Sequence, residues 1–101
     1  MTPLSYNMVI EDFPSPNSTE RKNNGSPKIL VMHYTACPTN ETLQTLTSKD
    51  SGVGAHFVIP PEGDKVYRLV PEKMQAWHAG LAEWRGERDV NSNSIGIEIV
   101  N

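Results

Sequence analysis

The chain has 101 residues, 37% hydrophobic and 21% charged, with a net charge of −3 at neutral pH. That length holds one domain at most, and a domain so small leaves roughly 40% of its unfolded-chain surface in water. The mild charge of mixed sign gives no basic groove for nucleic acid and no cationic face for an anionic membrane, and one cysteine, Cys37, excludes an intrachain disulfide.

Residues Met1–Ile10 lack the basic segment and apolar run of a secretory signal, and no stretch approaches the roughly 20 apolar residues of a membrane span. The sequence shows no export route and leaves the compartment open, cytoplasm or cell envelope. Residues 1–27 read as an N-terminal extension, because Pro14, Pro16, Asn17, Asn23, Asn24, Gly25 and Pro27 interrupt every period. Ordered structure is expected from Lys28. The continuous apolar run Ile29-Leu30-Val31-Met32-His33-Tyr34 predicts a central strand covered on both faces, with Ile29, Val31 and His33 on one of them. Thr39 or Asn40 is placed to cap a short helix reaching Ser48, which buries Leu43 and Leu46.

Ala55–Ile59 and Lys65–Val70 flank the turn Pro60-Pro61-Glu62-Gly63-Asp64 and predict a β-hairpin. Residues 71–93 form a long connection carrying Trp77, His78, Gly80, Trp84 and Gly86, and long loops commonly bear binding surfaces. Ser94–Val100 is the last strand expected. Strand, helix, hairpin, loop and strand do not complete a layered fold, so 28–101 reads as half a domain.

Four side chains are candidates for chemistry. His33 stands near the end of an apolar strand, where a neutral imidazole suits zinc; it equally suits a core histidine bonded to backbone. His56 reads as a half-buried sheet residue. His78, within Ala76-Trp77-His78-Ala79-Gly80, fits either a pocket wall or a surface loop. No two histidines fall at the spacings that align rings on one strand or helix, so a site built of histidines alone has weak support. Glu98 interrupts an isoleucine-rich strand and shares its face with Gly96 and Val100. Facing a cavity, it would be poorly solvated and its pKa would rise toward the range of a proton carrier; facing water, it would be an ordinary surface residue.

Taken in order, His33-Tyr34-Thr35-Ala36, Ala55–Ile59, Leu69-Val70-Pro71-Glu72, Ala76–Gly80 and Ser94–Ile99 resemble the zinc-dependent N-acetylmuramoyl-L-alanine amidases, relatives of phage lysozyme-type amidases and animal peptidoglycan-recognition proteins. The Trp-His-Ala-Gly, Trp-Arg-Gly and Ser-Ile-Gly-Ile-Glu segments are most similar to the bacterial AmiD-type branch. The resemblance covers Lys28 to Asn101 and implies an α/β (α+β) fold, a mixed central β-sheet flanked by helices, of which 28–101 is the N-terminal half. It implies a zinc cofactor held by His33, with the remaining ligands, a histidine and an aspartate, beyond Asn101. It also implies Glu98 as the catalytic acid/base, and Trp77, His78 and Ala79 along the substrate groove. His56 gains no chemical role from it, and Tyr34 and Trp84 are expected to pack. The implied activity is hydrolysis of the amide between N-acetylmuramic acid and L-alanine in peptidoglycan or muropeptides, in a chain completed by its own C-terminal part. A non-catalytic peptidoglycan-binding module and an inactive fragment are the competing readings.

Overall fold

The computed structural model describes residues 9–22, 26–79 and 90–101. In chain order these form β1 (Val9–Asp12), β2 (Ser18–Glu20), β3 (Ile29–Thr35), α1 (Thr39–Thr47), a single 3₁₀ turn (Lys49–Ser51), β4 (Phe57–Ile59), β5 (Lys65–Arg68), β6 (Met74–Ala76), α2 (Val90–Asn93) and β7 (Ser94–Val100). Five strands make one mixed sheet in the order β1-β5-β4-β7-β3, while β2 and β6 form a separate antiparallel pair. Only the β4–β5 contact within the large sheet is antiparallel. Mixed sheet and helices agree with the α/β expectation.

The hairpin forms where the turn residues placed it. Gly63 adopts φ +73°, a left-handed conformation that glycine reaches without a Cβ penalty, and its N–H donates to the Pro60 carbonyl at 3.2 Å. α1 starts at Thr39 behind Pro38 with no side-chain cap; the expected capping hydroxyl or amide is replaced by proline, whose fixed φ leads into the helix. Leu43 and Leu46 do turn inward. They join Ala55, Val58, Leu69, Val70, Ala76 and Val100 in the core, with Tyr67 and Met74 packed around it. Burying a side chain of this size stabilises the fold by roughly 1.5–3 kcal/mol.

Two expectations require correction. Among the described residues β3 is an edge strand with β7 beside it, and Leu30, Met32 and Tyr34 are 58%, 49% and 65% exposed. An uninterrupted apolar run reports that both faces are apolar; it says nothing of how many neighbours the strand has. Tyr34 therefore does not pack, and Trp84, like Gly80 and Gly86, lies outside the described residues.

Ordered structure also begins well before Lys28. β1 extends the sheet through parallel pairing with β5, and Asn17 and Arg21 are buried at 0% and 7% exposure. Periodicity missed this segment because polar bonds anchor it. Asn17 Nδ2 donates to the Ser48 and Val53 carbonyls at 2.8 and 2.6 Å, tying the segment to the end of α1. Residues 71–93, expected as loop, contain β6 and α2.

Candidate active site

Parallel pairing of β3 with β7 sets His33 directly beside Glu98, and β4 places Val58 on the far side of Glu98. Partners in register project to the same face, so imidazole and carboxylate share one surface near the C-terminal ends of both strands. That face of β7 carries Ser94, Gly96, Glu98 and Val100, as alternation predicted, and the isoleucines take the other. Glu98 lines a cavity of about 130 Å³ with Thr35, Cys37, Thr42, Thr45 and Leu46. Partial burial pushes its pKa above the ordinary carboxylate value, with the nearby His33 pulling the other way. A larger cavity of about 620 Å³ borders Arg21, Glu72 and Lys73 but touches none of His33, His78 and Glu98.

The three histidines, far apart in sequence, converge. His33 Nε2 lies 3.0 Å from His78 Nδ1, and the rings meet edge to face with centroids 5.2 Å apart. His78 Nε2 is 2.8 Å from Ser94 Oγ. The ring of His56 sits 6.2 Å from that of His78. Residue spacing within one element could not reveal this, because the rings arrive on β3, before β4 and after β6.

His56 has no freedom for chemistry. It is wholly buried rather than half-buried as expected. Its Nδ1 accepts the Gly96 N–H at 3.0 Å, so the ring proton sits on Nε2, which donates to the Met74 carbonyl at 2.8 Å. Arg21 Nη2 lies 3.2 Å from that same Nε2, and both are donors, so this contact is a crowding of like groups. Burial, and then the Arg21 charge, hold the His56 pKa below that of free imidazole, although the Met74 hydrogen bond raises it. His56 is thus a neutral staple between β4, β6 and β7.

Arg21 is the residue sequence reasoning missed most completely. Its guanidinium donates to the carbonyls of Glu72, Ser92 and Ser94 at 2.8, 2.8 and 2.9 Å. It thereby fastens the segment after β2 to α2 and to the start of β7. No pattern in the sequence signals such an anchor. Asn91 escaped notice too: its Oδ1 accepts from the backbone N–H groups of both His78 and Ala79, at 3.1 and 2.8 Å, and fixes the loop that carries them.

Of the three residues expected along a substrate groove, Trp77 is half-buried with its Nε1 donating to Thr19 Oγ1 at 3.4 Å. His78 turns inward, with both ring nitrogens engaged. Its pKa is lowered to about 4, chiefly by burial and further by His33, His56 and Arg21, so it is neutral at physiological pH.

His33 is half-buried, and among the described residues its Nδ1 has no hydrogen-bond partner. An imidazole so placed fits one position of a zinc site. Among the described residues no group of three His, Cys, Asp or Glu side chains is arranged to hold a metal.

A small mixed-sheet domain with an imidazole and a half-buried carboxylate paired across parallel strands has the features of the amidase fold. The chain belongs to the N-acetylmuramoyl-L-alanine amidase family, whose profile matches residues 23–101. It is 42% identical to the N-acetylmuramoyl-L-alanine amidase AmiD of Escherichia coli K12 over 73% of this chain and 28% of that protein. It is 31% identical to the 1,6-anhydro-N-acetylmuramyl-L-alanine amidase AmpD of the same organism, over 85% of this chain and 56% of that one. Among solved structures, a selenomethionine AmpD superposes with a TM-score of 0.80 at 27% identity, covering 91% of this chain and 61% of its own. E. coli AmiD in complex with the substrate anhydro-N-acetylmuramic acid-L-Ala-D-γ-Glu-L-Lys gives 0.68 at 35%, covering 84% and 39%. The chain thus spans between about a quarter and three-fifths of the relatives it matches.

Proposed function

We propose that this chain supplies His33 and Glu98 to the active site of a zinc amidase that cleaves the bond between the lactyl group of N-acetylmuramic acid and L-alanine. The supporting observation is the pairing of His33 with Glu98 in register on β3 and β7. Substrates of this class are also what the names of its relatives specify: AmiD is held in complex with an anhydromuramoyl peptide. Zinc, held by His33 and donors outside the described residues, would acidify a water to a pKa of about 7 and polarise the scissile carbonyl.

The chain's own residues account for the proton. Amide hydrolysis requires removal of a proton from the attacking water and its delivery to the departing amine nitrogen. Glu98 borders a cavity and has a raised proton affinity, which suits a group that must first accept and then release. Trp77 and Ala79, on the loop held by Asn91, are the residues we assign to the groove wall against sugar or peptide.

The test is Glu98→Gln in the protein as encoded, assayed on an N-acetylmuramoyl-L-alanyl peptide. We expect kcat to fall by roughly 10²–10⁴-fold, the usual contribution of a general acid/base, with bound zinc per protein unchanged. Near-normal turnover would remove Glu98 from the role. Muropeptide binding without turnover in the unmodified protein would instead mark a recognition module that does not cleave.

A further inference from the structure

We infer that His78 is a positioning residue: it takes up Nε2 of His33 and so leaves Nδ1 as the nitrogen that faces the metal. This rests on the ligand role proposed above for His33. An imidazole on an edge strand has a strand neighbour on one side only, and it can offer either nitrogen unless something holds the ring. The holding group here is His78 Nδ1, 3.0 Å from His33 Nε2, with Ser94 Oγ 2.8 Å from the other nitrogen of His78. Such a chain can run in two directions. In one, His33 Nε2–H donates to His78 Nδ1 and His78 Nε2–H donates to Ser94 Oγ, so that His33 Nδ1 keeps its lone pair. In the other, the Ser94 hydroxyl donates to His78 and His78 donates to His33, so that Nδ1 carries the proton. Both directions occupy Nε2. A metal needs a lone pair, so loading the site selects the first direction.

The seat of His78 is built for this. A Cβ at Gly96 would press into Cγ of the His78 ring and lie 2.6 Å from its Cδ2, inside any tolerable contact. Gly96 has no left-handed φ, so the ring, and not the backbone, is what demands glycine there. Asn91 clamps the backbone N–H groups on either side of the His78 Cα, and His56 fixes Gly96 by accepting its N–H. Partners that orient a metal-ligating histidine through its second nitrogen typically contribute 10–100-fold to metal affinity.

The experiment compares zinc dissociation constants, by chelator competition, for the encoded protein and its His78→Leu, His78→Asn and Gly96→Ala variants. Thermal melts verify that each is folded. Leucine fills the seat but cannot accept a hydrogen bond; asparagine offers its Oδ1 close to where Nδ1 sits. We expect zinc binding to weaken roughly 10–100-fold in His78→Leu and Gly96→Ala, with most of the loss recovered in His78→Asn. Nitrogen-15 correlation spectra of the zinc-loaded protein should show His33 protonated at Nε2. Unchanged affinity in a folded His78→Leu variant, or metal on His33 Nε2, would overturn the inference. His33→Ala separates the two claims. If it binds zinc normally, the ligand role fails; if it loses zinc while His78→Leu does not, only the positioning role fails.

Discussion

The strands β3, β4 and β7 present two faces of opposite character. On one, Ser94, Gly96, Val100 and Val58 are buried, and His33 and Glu98 sit among them half-covered by α1 and the loop after β6. On the other, Leu30, Met32 and Tyr34 stand in the open beside half-buried isoleucines of β7. The covered face mixes polar groups with core valines, and the more uniformly apolar face is the bare one, which departs from the usual partition. Polar groups tolerate burial when each finds a partner, and here the partners come from segments with no apolar pattern of their own: Asn17, Arg21 and Asn91. The covered face thus depends on these hydrogen bonds as well as on the apolar core around Val58 and Val100.

The sharpest way to break that arrangement is Arg21→Met. Methionine keeps much of the volume but leaves the carbonyls of Glu72, Ser92 and Ser94 without their donor. The Ser92 and Ser94 carbonyls are buried and that of Glu72 partly so; each orphaned buried group costs about 1–3 kcal/mol, and partial rehydration recovers some of it, so we expect a loss of roughly 3–5 kcal/mol in a urea melt. A loss below about 0.5 kcal/mol, the range of ordinary surface changes, would show that the guanidinium is dispensable to the covered face.

The uneven legibility of the sequence has the same origin. β7, the hairpin and α1 were readable because alternation, turn residues and a leucine pair are local signals, and the Glu98 face followed from alternation alone. His33 beside Glu98 rested on family resemblance, since a parallel register between strands some 60 residues apart leaves no trace in either strand. β1, β2 and β6 were missed. They are three or four residues long, and β2 with its flanks is held by side chains bonding to distant carbonyls, an interaction with no period. The histidine cluster was hidden for a related reason: its members reach one point from three elements, and spacing rules apply within a single element.

Acid provides a second probe of the covered face. His56 and His78 both have folded pKa values below the 6.5 of free imidazole, that of His78 at about 4. The unfolded chain therefore binds more protons than the fold between those limits. Their contribution to stability is fully present above about pH 6.5 and is lost as pH falls through the folded values. Each pH unit over which the fold holds one imidazole neutral is worth about 1.4 kcal/mol. Glu98, with its raised pKa, has the opposite sign and offsets part of this slope. Denaturant midpoints measured from pH 7.5 to pH 4 should fall, and the fall should be shallower in His56→Gln, which cannot take up the proton. A flat profile would mean that the imidazoles titrate alike in folded and unfolded chains.

The two faces can finally be compared by one substitution on each. Val58 is fully buried in the core beneath α1, and Val58→Ala removes two methylene equivalents and leaves a cavity, at a cost of about 2 kcal/mol. Met32, on the other face of the neighbouring β3–β7 pair, is 49% exposed, and a lysine there extends into water along the same path. Met32→Lys should change stability by no more than about 0.5 kcal/mol, because no buried contact is lost and the long alkyl stem still lies along the sheet. The contrast is informative in either direction. If the lysine costs as much as Val58→Ala, the bare face is covered in the native protein by chain or partner beyond the described residues. In that event the apolar run of β3, and not only the bonded polar groups opposite, contributes to holding His33 and Glu98 together.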